Sequence, residues 1–265
     1  MQISNGVKEE QILIQGIKTN YKIAGSGPAI LVLHGWGGSS DSWIRVQEIL
    51  ANQGYKVIAP DFPGFGKSKT PFEAWNVTNY VKWLFDFTNF LNLEKFFVLA
   101  HSFGGRVAIK FAVNYPEKLK GLILCSSAGI KPKPGLKTRI IFRLAKIGNT
   151  LFTPKHLIRF KDGARNLFYI FLRHRDYVKA DGTMKETIKK VLDEDLLSDL
   201  SEMKTKTLII WGKNDRMVPV KYAYIFKEKI ENSELVILPK IGHSPHLEVP
   251  EKLANLILEF LKQEI

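Results

Sequence analysis

Short apolar runs, each too brief to be a buried helix, recur along most of this chain, and longer amphipathic stretches separate many of them. The runs are Ala29–Leu33, Lys56–Ala59, Phe96–Ala100, Leu122–Leu124, Thr207–Trp211 and Glu234–Leu238. Apolar character confined to so few residues marks strands buried on both faces. Asp41–Gln53, Val77–Leu91, Gly104–Asn114 and Pro250–Leu261 instead repeat their apolar residues at helical spacing. Strands alternating with helices specify a mostly parallel sheet covered on both faces. Ahead of this series, Gln11–Ala24 reads as a hairpin turning at Gln15-Gly16.

The alternation stops once. Between about Gly129 and Lys204 only amphipathic helical stretches broken by Gly and Pro are found. The economical division is a core domain of 1–128 and 205–265 that carries a helical insertion, 129–204. With 265 residues, 45% of them hydrophobic and 25% charged, the chain can bury a core and is not a disordered polymer. The single cysteine, Cys125, cannot form an internal disulfide. Met1–Glu10 lacks the apolar centre of a signal peptide, and no run of about 18 apolar residues suggests a membrane span. These features lead us to expect a cytoplasmic protein.

Three strand ends carry residues with chemical potential. Ala100-His101-Ser102-Phe103-Gly104-Gly105 lies between a strand and a helix, where a tight turn would expose the serine oxygen. Small residues are needed two positions to either side, and Ala100 and Gly104 meet that need. Leu208–Asp215 is a strand emptying into a loop that ends on an acid. Leu235–Leu238 leads to Ile241-Gly242-His243-Ser244-Pro245. Alone, each has an ordinary explanation: Ser102 as a helix cap, Asp215 as a turn residue, His243 as a solvated loop histidine. Together they place a serine, an acid and a histidine on one edge of a parallel sheet, the edge where open α/β folds build their sites.

With these motifs in that order, the chain resembles the α/β-hydrolase family, in its serine-nucleophile, cap-containing, carboxylesterase-like branch. The common form of the serine motif begins with glycine, and here it begins with Ala100. His34-Gly35-Trp36-Gly37-Gly38 is similar to the family's loop after the third strand, and Asp61–Ser68 to the loop after the fourth. The resemblance implies a mostly parallel eight-stranded sheet flanked by helices, with 129–204 as a helical cap. It further implies Ser102 as nucleophile, His243 as base, Asp215 orienting the histidine, and backbone N–H groups of Trp36 and Phe103 as the oxyanion hole. Trp36, Phe142, Phe168, Phe171 and Met217 are the expected substrate-binding residues.

The expected reaction is hydrolysis of a small-molecule carboxylic ester through an acyl-serine. Two alternatives stand beside it: hydrolysis of a C–C bond in a diketone-like acid, and a non-catalytic ligand-binding protein of the same fold. The C–C hydrolases commonly have an aromatic residue after the histidine, where this chain has Ser244. A serine nucleophile disfavours the haloalkane dehalogenase and epoxide hydrolase branches, which need a carboxylate there.

Other conspicuous residues point elsewhere. His34 and His101 read as supports for the oxyanion loop and the nucleophile, and His246 is a rival base. His156 and His174 lie in the insertion without the spacing of a zinc set, so no metal is expected. Asp61 reads as a loop brace, and Gly64–Ser68 lacks the spacing of a phosphate loop, so no cofactor is implied. Lys131–Arg175 holds twelve Lys/Arg against the single acid Asp162. That charge suits a solvated face, an anionic substrate or peripheral contact with an anionic membrane. No nucleic-acid recognition motif accompanies it. The oligomeric state leaves no sequence signature.

Overall fold

A computed structural model describes residues 6–131 and 182–263. The chain divides into a unit of Met1–Ile130 with Asp181–Ile265, and a second of Lys131–Ala180. All of the second unit except Lys131 lies outside the described residues, and so do Phe142, Phe168, Phe171, His156 and His174.

The first unit is built on an eight-stranded sheet: β1 (Lys8–Ile14), β2 (Ile17–Ala24), β3 (Ala29–Leu33), β4 (Lys56–Pro60), β5 (Phe96–His101), β6 (Leu119–Cys125), β7 (Thr207–Gly212) and β8 (Ser233–Leu238). Their spatial order is β1-β2-β4-β3-β5-β6-β7-β8. β1 pairs antiparallel with β2, and β2 with β4. Every later pairing is parallel. The β1–β2 hairpin closes at Gln15 (φ 51°) and Gly16 (φ 74°), two consecutive left-handed residues, as the tightest hairpin turns require.

Strand residues alternate between the faces, as the pleat demands. Ile30, Val32, Val57, Ala59, Phe97, Leu99, Ile123, Leu208 and Ile210 form one core with α1 (Ile44–Asn52) and the C-terminal helix Pro250–Lys262. α2 (Val77–Phe90) and α3 (Phe103–Asn114) are packed together, and α3 lies against β5 and β6. α2 begins where its sequence says it should. Asn76 and Asn79 cap one another, each side-chain oxygen accepting the other's backbone N–H at 2.9 Å.

The end of the expected insertion packs with the sheet unit. α4 (Gly182–Asp193) offers Thr187 Oγ1 to the Trp75 N–H at 3.0 Å. Just before α5 (Leu197–Glu202), the Glu194 carbonyl accepts a bond from the buried Arg106 guanidinium at 2.8 Å. Two further helices close the unit's secondary structure before the C-terminal one: α6 (Lys221–Lys229), against β7 and β8, and α7 (Pro245–Glu248). The C-terminal helix is α8. Among the described residues, no helix is long and apolar enough to cross a membrane.

Candidate active site

Ser102 joins β5 to α3 with no spacer on either side, so one residue must reverse the chain. It does so at φ 50° and ψ −113°, a conformation unfavourable for any residue with a Cβ and worth roughly 1–3 kcal/mol of strain. The turn is held by neighbours rather than by its own preference. The Ser102 N–H donates to the Cys125 carbonyl at 3.3 Å, and the Ser102 carbonyl accepts from Ala128 N–H at 2.9 Å. Close approach makes the following glycines necessary. A Cβ on Gly104 would lie 2.5 Å from the Leu33 carbonyl oxygen, and one on Gly105 would lie 1.8 Å from Ser127 Oγ.

Asp215 and His243 arrive from β7 and β8, beyond the intervening β6. β7 ends at Gly212 and β8 at Leu238, and the two loops cross so closely that a Cβ on Gly212 would fall 2.0 Å from the Gly242 carbonyl oxygen. Asp215 is buried. Its Oδ1 accepts the backbone N–H groups of Met217 (2.8 Å) and Val218 (2.9 Å). Its Oδ2 lies 2.8 Å from His243 Nδ1, and His243 Nε2 lies 3.1 Å from Ser102 Oγ. The carboxylate accepts a hydrogen bond from Nδ1–H, so the ring proton sits on Nδ1 and Nε2 is left with its lone pair toward the serine hydroxyl. Residues separated by more than a hundred positions thus form one hydrogen-bonded line.

The loop after β3 flanks the serine. A Cβ on Gly35 would come within 2.8 Å of His101 Nδ1 and 3.3 Å of Ser102 Cβ, so the loop backbone runs directly beside the Ser102 turn. Trp36 is half-buried, its ring edge-on to Phe65 (4.8 Å) and Phe103 (5.3 Å). Phe103 is the first residue of α3, so its N–H has no carbonyl within the helix. Met217 stands beside Asp215 with its backbone committed to that carboxylate.

The remaining singled-out side chains are supports. His34 Nε2 accepts the Phe62 N–H at 3.0 Å, so its proton sits on Nδ1, which donates to the Gly35 carbonyl at 2.8 Å. Burial pushes its pKa down. Asp61 ties strand β2 to the segments after β3 and β4, accepting from Ser40 N–H (2.6 Å), Lys67 N–H (2.9 Å) and Asn20 Nδ2 (3.0 Å). His246 is buried and stacked on Trp43 at 4.3 Å, and burial lowers its pKa to about 3. Nothing brings it to Ser102, and the serine's imidazole partner is His243. Cys125 is buried beneath the site, and burial drives its thiol pKa well upward.

Two supports were not legible beforehand. The loop after β4 brings Phe62 and Phe65 against Phe103 at 5.2 and 6.0 Å, an aromatic bed under the start of α3. Glu248 reaches back from α7 to the backbone around His243, at Gly242 N–H (2.8 Å) and Ser244 N–H (3.1 Å). An exposed glutamate in a short helix gives no sequence signal for such a role.

Comparison with known proteins agrees with this architecture. The model of the alpha/beta hydrolase fold family matches residues 28–151 and 153–250. A 2-hydroxy-6-oxo-6-(2'-aminophenyl)hexa-2,4-dienoic acid hydrolase of Metapseudomonas resinovorans is 31% identical, over 94% of this chain and 89% of its own. Monoacylglycerol lipase ABHD6 of Rattus norvegicus is 27% identical, over 89% of this chain and 76% of its own. Among solved structures, a serine hydrolase involved in carbazole degradation (CarC enzyme) superposes with a TM-score of 0.74 at 27% identity, covering 97% of this chain and all of the other (100%). From the serine turn between β5 and α3 to the parallel sheet beneath it, this chain belongs to the alpha/beta hydrolase fold family.

Proposed function

We propose that this protein is a serine hydrolase that cleaves small-molecule carboxylic esters through an acyl-Ser102 intermediate. The observation that carries this reading is the line from Ser102 Oγ through the His243 ring to Asp215, at 3.1 and 2.8 Å, on a strained strand-to-helix turn. A serine hydroxyl is a poor nucleophile until a base takes its proton. His243 Nε2 accepts that proton as Oγ attacks the ester carbonyl carbon. Asp215 holds the Nδ1–H tautomer and stabilises the imidazolium. The tetrahedral oxyanion is received by the N–H groups of Trp36 and Phe103, and losing one such donor typically costs about 3–4 kcal/mol of barrier. The imidazolium returns its proton to the departing alcohol. Water then attacks the acyl-enzyme by the same base catalysis, releasing the acid and restoring Ser102.

The dienoic acid hydrolase among the relatives supports a second reading, hydrolysis of a C–C bond beside a ketone. The same serine and histidine would serve it. Burst kinetics with a p-nitrophenyl ester of a short acid, beside a vinylogous diketo-acid substrate followed by its visible absorbance, decide between the two. A burst lost in Ser102→Ala supports ester hydrolysis. Turnover of the diketo acid alone favours the second reading. No turnover of either by the folded protein would leave a ligand-binding role. Fluorophosphonate labelling at any residue except Ser102 would overturn the site assignment.

A further inference from the structure

The loop that carries His243 runs from the end of β8 to α7 and is not itself regular structure. The imidazole must meet both Asp215 and Ser102, so the backbone at residue 243 has to be fixed by something else. Three main-chain groups around it are taken by two side chains. Glu248 accepts Gly242 N–H through one carboxylate oxygen at 2.8 Å and Ser244 N–H through the other at 3.1 Å. His101 Nε2 lies 2.8 Å from the His243 carbonyl oxygen. A carbonyl only accepts, so that nitrogen carries the proton and donates it.

We propose that His101 and Glu248 are positioning residues that clamp the main chain on both sides of His243 and so set where its ring meets Ser102. The proposal rests on the reading of His243 as the base. His101 is the last residue of β5, adjacent to Ser102, so one rigid strand carries the nucleophile and the support for its base. The buried His101 ring is packed against His246 at 4.6 Å, and His246 is stacked on Trp43 at 4.3 Å and 11°. α7 therefore contributes twice. Its His246 packs against the His101 ring, and its Glu248 folds back on the loop. Hydrogen bonds from two backbone N–H groups to one ionised carboxylate are charge-assisted and stronger than neutral ones. Burial, with the nearby His246 and His243, keeps His101 neutral, so its ring adds no repulsion to a protonated His243.

The test uses the whole protein and two readouts. One is the low-field NMR resonance of the His243 Nδ1 proton, assigned by its loss in His243→Gln. The other is kcat and KM on a p-nitrophenyl ester. His101→Leu and Glu248→Ala should each shift or broaden the resonance and lower kcat about 10- to 100-fold with KM unchanged. His101→Gln, whose amide N–H can replace the imidazole donor, should recover most of the loss; a purely space-filling role would not distinguish it from leucine. Glu248 is exposed, so Glu248→Ala should fold even where His101→Leu does not. An unchanged resonance and kcat in Glu248→Ala would overturn the proposal, as would His101→Gln behaving like a folded His101→Leu. A wild-type resonance without ester turnover would sink the ester reading, while the resonance in the variants still judges the clamp.

Discussion

Replacing Ser102 with glycine should make this protein more stable than replacing it with alanine. Ser102 sits at φ 50° and ψ −113°, where a Cβ is resisted and glycine is at ease. Alanine keeps the Cβ and hence the strain, roughly 1–3 kcal/mol; glycine releases it. Against this stands the extra freedom of glycine in the unfolded chain, roughly 0.5–1 kcal/mol. The hydrogen bond to His243 at 3.1 Å is lost in both variants and cancels from the comparison. About 1 kcal/mol should remain in favour of glycine, a difference of about 2–4 °C in Tm for a chain of this size. Urea unfolding of Ser102→Ala and Ser102→Gly side by side measures it. A glycine variant equal to or less stable than the alanine variant would refute the claim that the turn is strained. Both variants lack the hydroxyl that meets His243 and should be inactive.

Other consequences are open to the same kind of measurement. Asp215→Asn should lower kcat by about 10⁴-fold, because the amide favours the wrong histidine tautomer, with Tm reported alongside to show an intact fold. Gly212→Ala places a Cβ 2.0 Å from the Gly242 carbonyl oxygen, so β7 or the His243 loop must move. Activity should fall at least ~100-fold, and unfolding should show a loss of roughly 1–3 kcal/mol. Acid should weaken the fold through His246, whose pKa is lowered from 6.5 to about 3. Below 6.5 the unfolded chain binds this proton and the folded one does not, so stability falls as the pH drops toward 3. The slope from this one group is at most about 1.4 kcal/mol per pH unit. His246→Phe, which can still stack on Trp43, should flatten the decline between neutral pH and pH ~5 in urea titrations.

Much of the core was legible because periodicity is a local property. The long helices show it directly, and the runs Ala29–Leu33 and Phe96–Ala100, apolar throughout and too short for a helix, declare a strand without knowledge of its neighbours. The helices α6 and α7 escaped notice: α6 buries only Tyr222, Ala223 and Phe226, and α7 is a single turn, too little in either case to establish a period. Asp61, an acid just past a strand end, reads as a loop brace, and it accepts three hydrogen bonds, from Ser40, Lys67 and Asn20. The expected substrate contacts Phe142, Phe168 and Phe171, and the basic stretch beyond Lys131, lie outside the described residues.

By itself the sequence determined which residue types stand at the ends of β5, β7 and β8, since each follows directly from a local apolar run. Only the tertiary structure decided that Ser102, His243 and Asp215 meet at 3.1 and 2.8 Å, because parallel pairing of distant strands brings their ends to one edge. It alone gave His101 and Glu248 their places beside His243. Such side-chain contacts to main-chain groups depend on where loops cross, and loop crossing follows from the packing of the whole sheet rather than from any stretch of it.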